Sequence, residues 1–262
     1  MPELPDVEVF KQYLDATSLH QRIETVVVSA TEVLDAISAR KLIKELRDHT
    51  FESSLRHGKY LFVQLNGGNW LRLHFGMTGR LKYIKKTSQE PPHSRVMIGF
   101  TNGYLLAYAC QRKLGEVGLM EDVEKFIKKK GLGPDALDVD LVSFKRALRG
   151  RKSMIKSTLM NQRIIAGIGN IYADEILFQS AIHPRTKVSR LGEKEMSGVF
   201  RKMKKILHQA IDCGADPEQF PGFYLVPHRR KNERCPRCRR ELGRIQVCGR
   251  TTYYCPDRQI EI

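Results

Sequence analysis

The sequence predicts a multidomain α+β protein. An N-terminal antiparallel β-sandwich or flattened barrel leads into an all-helical middle, and a short cysteine-bearing hairpin closes the chain. Three observations carry that reading. Up to about Lys113, short β-rich runs alternate with turn signals. Beyond it, apolar residues recur at helical spacing. Near the end, four of the six cysteines fall within 21 residues of very basic sequence.

Taken in order, Pro5 to about Leu19 places Val7, Phe10, Tyr13 and Leu14 at helical spacing, an amphipathic helix expected to pack the N-terminus onto a sheet. Six strand runs follow: Ile23–Val28, Leu55–Leu65, Trp70–Phe75, Leu81–Ile84, Val96–Phe100 and Tyr104–Ala109. Asn66-Gly67-Gly68 and Thr101-Asn102-Gly103 are turn signals between them, and Thr87–His93, with Pro91-Pro92, reads as a loop. Helical periods then run through Val123–Lys130, Leu141–Leu148, Ser153–Asn161, Asn170–Ala181 and Glu193–Asp212. Residues 214–230 are irregular, and 231–258 carry a hairpin signal. The expected domains are therefore 1–122, 123–227 and 228–262.

With 262 residues and 41% hydrophobic content, the chain can bury a sizeable core and is not disordered. Lys plus Arg number 45 against 29 Asp plus Glu, a net charge of +16. That excess favours a polyanionic partner, nucleic acid before an anionic membrane. No apolar run is long enough to span a bilayer and no signal-peptide pattern opens the chain, so an intracellular, cytoplasmic location without membrane association is expected. In a reducing compartment, clustered cysteines indicate a metal rather than disulfides.

Five stretches bear chemistry, the first four with a plainer structural reading beside them. The chain opens Met1-Pro2-Glu3-Leu4-Pro5-Asp6. If Met1 is removed, Pro2 presents a secondary amine. An α-amino group titrates near ~7.7–8, so roughly a tenth is a free nucleophile at neutral pH, far more than of a lysine. Its attack on a sugar C1′ gives an iminium, an electron sink, and Glu3 beside it can protonate a ring oxygen. Equally, Pro5 and Asp6 make an ordinary helix start. Lys59, in Arg56-His57-Gly58-Lys59-Tyr60 at a strand entry, reads as a phosphate clamp, as a general acid/base, or as a solvated edge lysine. His74-Phe75-Gly76-Met77-Thr78-Gly79 sets Met77 on a turn, as a wedge into a base stack or folded back into the core, with Arg112 and Leu114 available to complete a wedge. In Ala166-Gly167-Ile168-Gly169-Asn170-Ile171-Tyr172-Ala173, Asn170 suits a helix N-cap, a phosphate site, or both. Finally, Cys235-Pro-Arg-Cys238 is a metal knuckle, and Arg229 through Arg250 hold nine Lys/Arg and two Glu, suited to tracking a phosphate backbone.

Together these motifs resemble the formamidopyrimidine-DNA glycosylase/endonuclease VIII family of base-excision repair, over nearly the whole chain. The resemblance implies a β-sandwich, a helix-two-turn-helix DNA-binding domain and a C-terminal zinc finger. It implies a glycosylase with abasic-site lyase activity on damaged double-stranded DNA, acting as a monomer and needing no redox cofactor or catalytic metal. Pro2 then matches the Schiff-base nucleophile, Glu3 the acid that assists sugar ring opening, and Lys59 the lysine at a phosphate beside the lesion. Asp6 stands where the formamidopyrimidine branch of the family has a glutamate. His74, Asn170 and Arg250 match phosphate-clamping positions, and Met77 and Arg112 match two of the three residues that fill the emptied duplex.

The sequence also departs from that pattern. Leu114 replaces the aromatic member of the wedge, which removes stacking worth about 1–3 kcal/mol per base. Cys110 and Gln111 replace an Asp-Pro pair. Cys235, Cys238 and Cys255 are the expected zinc ligands, but Arg258 occupies the place of the fourth cysteine, leaving Cys248 and Asp257 as candidates. The stretch between Cys213 and Arg230 is shorter than in the 8-oxoguanine-specific branch, where it covers the everted purine. Weaker 8-oxoguanine selectivity and activity on oxidised pyrimidines, ring-opened purines or abasic sites is the expectation. Two other classes compete. A lesion-binding protein that has lost catalysis is opposed by the intact Pro2, Glu3 and Lys59. A metalloenzyme is opposed by the lack of a water-activating His/Glu set beside the cysteines.

Overall fold

A computed structural model describes residues 1–261. The described chain forms two compact units, one of residues 1–2 and 6–130, the other of residues 3–5 and 131–261.

The first unit contains two four-stranded antiparallel sheets. One has the order β1 (Ile23–Val28), β6 (Ser94–Phe100), β7 (Tyr104–Cys110), β5 (Gly79–Lys85). The other has the order β2 (Phe51–His57), β3 (Tyr60–Leu65), β4 (Trp70–His74), β8 (Glu116–Met120). Both contribute to a single core: Ile23, Leu81, Ile98 and Leu106 from the first sheet meet Phe51, Leu61, Leu73 and Val117 from the second. Sharing one core makes the pair a sandwich, as expected.

Helix α1 (Leu4–Ser18) buries Val7 and Leu14 against that core, with Phe10 packed on Phe75 at a ring separation of 4.6 Å. Tyr13 stays at the rim, where its hydroxyl accepts the backbone N–H of Tyr83 at 2.8 Å.

Three features of this unit differ from the sequence reading. The run Leu55–Leu65 is not one strand but two, β2 and β3, joined at Gly58-Lys59 with His57 paired to Tyr60. Gly58 at the first central position is a hairpin signal, but a weaker one than Asn-Gly, and the run Leu55–Leu65 reads through it. Strand β8 was not expected; its five residues complete the second sheet beside β4. Helix α2 (Ala39–Leu46) was also not expected, although Ser38 caps it by accepting the N–H of Lys41 at 3.2 Å.

Helix α3 (Val123–Lys130) falls in the first unit, where Phe126 meets the rings of Tyr60 and Phe62.

The second unit packs α4 (Leu141–Leu148), α5 (Ile155–Met160), α6 (Asn170–Ser180) and α7 (Glu193–Asp212) around Phe144, Leu159, Ile176, Met203 and Leu207. Leu4 lies fully buried in the same core, and its N–H donates to Gly167 O at 3.0 Å. The stretch 214–230 is irregular, as expected, but pinned: Phe220, Tyr224, Leu225 and Val226 are all buried. Strands β9 (Gly243–Val247) and β10 (Arg250–Tyr254) form the C-terminal hairpin, which belongs to this unit. Among the described residues no helix is long and apolar enough to cross a membrane.

Candidate active site and nucleic-acid interface

The Gly-x-Gly-Asn turn before α6 is built around Glu3. The Glu3 carboxylate accepts N–H groups from Gly169 and Ile171, each at 2.8 Å, and from Tyr172 at 3.3 Å. These are orphan donors at the positive end of a helix, where an anion is stabilised. Glu3 is buried, and two glycines make room for its segment. A Cβ at Gly169 would lie 2.7 Å from Glu3 Cγ and closer still to the carboxyl group. One at Gly167 would lie 2.8 Å from Leu4 Cβ, and Gly167 also has φ +112°.

The helix-capping reading of Asn170 is therefore corrected. The N-cap position is Gly169, and Glu3, distant in sequence, supplies the capping oxygens. Asn170 begins the helix proper, and its side chain is otherwise employed. Oδ1 accepts from Lys156 Nζ at 2.7 Å, and Nδ2 donates to the Thr251 carbonyl at 3.0 Å. That second bond ties the head of α6 to β10 next to Arg250, which is exposed at the hairpin tip.

Behind Asn170 lies a network that sequence reading missed. Lys156 is fully buried and also donates to Thr252 Oγ1 at 2.6 Å. It pairs with Asp174 at 2.7 Å, an ion pair by distance although the angle is poor for a hydrogen bond. Asp174 also takes Arg229 at 2.7 Å and the N–H of Tyr253 at 3.2 Å. Burial holds the Lys156 ammonium below the usual lysine range, opposed by Asp174. Buried charges survive only when paired, so this cluster fixes β10 against α6. A lysine in a helical stretch gives no sequence sign of such burial, and its partner Asp174 stands 18 positions on, in the next helix.

In the first unit, Lys59 is half-buried in the β2–β3 turn, one residue before Tyr60, which pairs across the sheet with His74. The Tyr60 and His74 rings lie 4.7 Å apart. Burial pushes the His74 imidazole below its ordinary range, and Lys59 acts in the same direction. His74 Nδ1 accepts the Gly76 N–H at 3.4 Å, which assigns the proton to Nε2 and makes that nitrogen a donor.

Met77, Arg112 and Leu114 come together and stay exposed. The Met77 sulfur lies 3.1 Å from Arg112 Nη1, and the Arg112 N–H donates to Thr78 Oγ1 at 3.1 Å. The two turns touch because Gly76 has no side chain; a Cβ there would lie 2.7 Å from Gly115 N. Met77 therefore does not fold back into the core.

At the head of the chain Pro2 is half-buried and Met1 exposed, while Asp6 sits in the first turn of α1.

The sulfurs of Cys235, Cys238 and Cys255 all lie within 4.8 Å of one another. The Arg237 N–H points to Cys235 Sγ at 3.5 Å, the knuckle hydrogen bond of a thiolate site. Three converging thiols and that N–H fit a thiophilic divalent ion. Asp257 Oδ2 lies 3.9 Å from Cys238 Sγ. Cys248 instead sits in the β9–β10 turn with φ +49°, roughly 20 Å away at strand rise, and is ruled out as the fourth ligand.

A two-sheet sandwich and a helical unit whose Gly-x-Gly-Asn turn grips the head of the chain define a protein of the formamidopyrimidine-DNA glycosylase family, to which this chain belongs. The family's N-terminal domain matches residues 1–117, and its helix-two-turn-helix domain matches residues 131–221. Among relatives, the formamidopyrimidine-DNA glycosylase of Syntrophomonas wolfei is 33% identical over 267 residues, covering 97% of this chain and 98% of its own. That of Pelotomaculum thermopropionicum is 33% identical over 275 residues and 99% of each. Among solved structures, Lactococcus lactis Fpg (MutM) bound to DNA containing N7-benzyl-Fapy-dG superposes with a TM-score of 0.90 at 28% identity, over 99% of this chain and 100% of that one. A complex of the same enzyme with abasic-site DNA gives the same score and identity, with the same coverage.

Proposed function

We propose that this chain is a bifunctional DNA glycosylase and abasic-site lyase of base-excision repair, acting as a monomer on damaged double-stranded DNA. The observation that carries the reading is the Glu3 carboxylate, buried one residue from Pro2 and fixed by backbone N–H groups of the Gly-x-Gly-Asn turn. A carboxylate so held is aimed rather than merely present. Relatives solved on lesion-containing and abasic-site DNA support the substrate class.

In the proposed reaction Met1 is removed and the damaged nucleotide is extruded from the duplex. Met77, Arg112 and Leu114 fill the gap. The Pro2 nitrogen forms a bond to C1′ as the base leaves with its bonding pair, while Glu3 assists opening of the sugar at its ring oxygen. Asp6 supplies a second carboxylate at the head of the chain. The resulting iminium acidifies C2′; loss of that proton expels the 3′ phosphate, and loss of a further proton expels the 5′ phosphate. Lys59 lies with the phosphate flanking the lesion and assists elimination. His74, Asn170 and Arg250 hold the backbone. One zinc ion, bound by Cys235, Cys238 and Cys255, shapes the hairpin and takes no part in the chemistry. The short, pinned stretch 214–230 supports reduced 8-oxoguanine selectivity and a wider range of oxidised pyrimidines, ring-opened purines and abasic sites.

Borohydride reduction on a duplex with one abasic site tests the reading. A covalent adduct of protein and DNA is expected, with loss of Met1 visible in the intact mass. Pro2→Gly, or a form retaining Met1, should give little or none. An undiminished adduct from either would overturn the proposal.

A further inference from the structure

A two-residue hairpin turn such as the one that carries Lys59 closes in one of two related forms. Gly58 has φ +57°, whereas Lys59 keeps a negative φ. Positive φ at the first central residue alone marks a type II′ turn; positive φ at both marks type I′. The two differ by rotation of one peptide, the one between Gly58 and Lys59. That rotation reverses the Gly58 carbonyl and swings the Lys59 side chain to a different direction.

One side chain grips the movable peptide. Arg56 Nη1 donates to the Gly58 carbonyl at 3.2 Å. Arg56 is itself buried, and its Nε donates to Glu8 Oε2 on α1 at 2.6 Å. The guanidinium is anchored at one end by an ion pair and holds the carbonyl with the other. A planar fork does this where a single ammonium does not.

We propose that Arg56, held by Glu8, is a positioning residue that locks the Gly58–Lys59 peptide in the type II′ form and so aims the Lys59 ammonium at the reacting sugar phosphate. The inference rests on the role given to Lys59 above. Arg56 touches no reacting atom; it acts through the turn.

The test uses the full chain with Arg56→Lys, Arg56→Ala, Glu8→Gln, Lys59→Ala and the Arg56→Ala/Lys59→Ala double variant. Single-turnover cleavage of an abasic-site duplex, the Kd for that duplex and Tm are measured for each. Arg56→Lys and Arg56→Ala should slow cleavage about 10- to 100-fold, the usual cost of a misplaced catalytic group. Glu8→Gln should do so less, and Kd should stay within about threefold for the Arg56 variants. The double variant should cleave no more slowly than Lys59→Ala alone, as two residues acting through one ammonium require. If Arg56→Ala fails to fold, Arg56→Lys and Glu8→Gln decide the matter. Losses that multiply in the double variant, or wild-type cleavage by Arg56→Lys with only Tm reduced, would overturn the proposal while leaving Lys59 in place. Unchanged cleavage by Lys59→Ala would instead remove Lys59 from the reaction, and this inference with it.

Discussion

Glu3 and Gly169 are in direct contact: the Glu3 carboxylate accepts the Gly169 N–H at 2.8 Å, and no side chain at 169 could coexist with it. The glycine is there for the glutamate. Gly169→Ala should therefore displace Glu3, at a stability cost of about 1–3 kcal/mol from overpacking. On the role proposed for Glu3, adduct formation with abasic-site DNA should fall about 100-fold, because the carboxyl is moved out of place. Gly198→Ala, in helix α7 with open space around it, is the control and should be neutral or slightly stabilising. Equal behaviour of the two variants in calorimetry and trapping would refute the contact's importance.

The exposed cluster of Met77, Arg112 and Leu114 predicts a separation of stability from function. Met77→Ala removes an apolar tip from solvent, so Tm should barely move. Excision of a base that must first be extruded should drop roughly tenfold, in line with an unstacking cost of a few kcal/mol. Leu114→Phe should restore about 1–3 kcal/mol of stacking and shift the preference for the base opposite the lesion. A panel of duplexes differing only at that base reads both effects.

The three-cysteine cluster predicts one zinc per chain by elemental analysis. Cys235→Ser should lose the metal and lower Tm, since metal binding at such a site is coupled to folding. Cys248→Ser should leave the zinc content unchanged, because that thiol lies at the far end of the hairpin. Asp257→Ala, beside Cys238, should weaken retention against a chelator. Metal lost from Cys248→Ser but not from Asp257→Ala would reverse the ligand assignment.

Glu175 gives stability a pH slope. It is fully buried in α6, accepting the Val226 N–H and the Gln179 side chain at 2.8 and 2.7 Å. Burial pushes its carboxyl from 4.5 up to about 7. A raised folded pKa means that the folded state holds the proton longer. The stabilising contribution is present below the unfolded value and is lost as pH rises through about 7. The ceiling on that loss is roughly 3 kcal/mol, from the size of the shift. Urea melts at pH 5 and pH 8 should show Glu175→Gln with a smaller difference than wild type; the same difference in both would exclude Glu175 as the source.

Much of the architecture is legible in the sequence. Val123–Lys130, Leu141–Leu148 and Glu193–Asp212 fold as the helices their periodicity predicts. Helical period is a local property, and these segments bury one face each. The β2–β3 hairpin was not legible, because a lone glycine before lysine is a weaker turn signal than Asn-Gly, and the turn is completed by strands closing around it and by Arg56 at its carbonyl. Nor was the buried Lys156–Asp174–Arg229 network, whose members look like solvated charges until the chain folds.

The sequence by itself determined the succession of β-rich, helical and cysteine-bearing parts, the basic character, the cysteine knuckle and which residue types stand at the head of the chain. Those follow from composition, period and spacing, which are written along one dimension. Only the tertiary structure decided what Glu3 binds, that Asn170 ties α6 to β10 rather than capping its helix, that Met77 faces solvent, and that Cys248 stands apart from the other thiols. Hydrogen bonds, burial and van der Waals clearance join residues more than a hundred positions apart, and no pattern of neighbours along the chain encodes them.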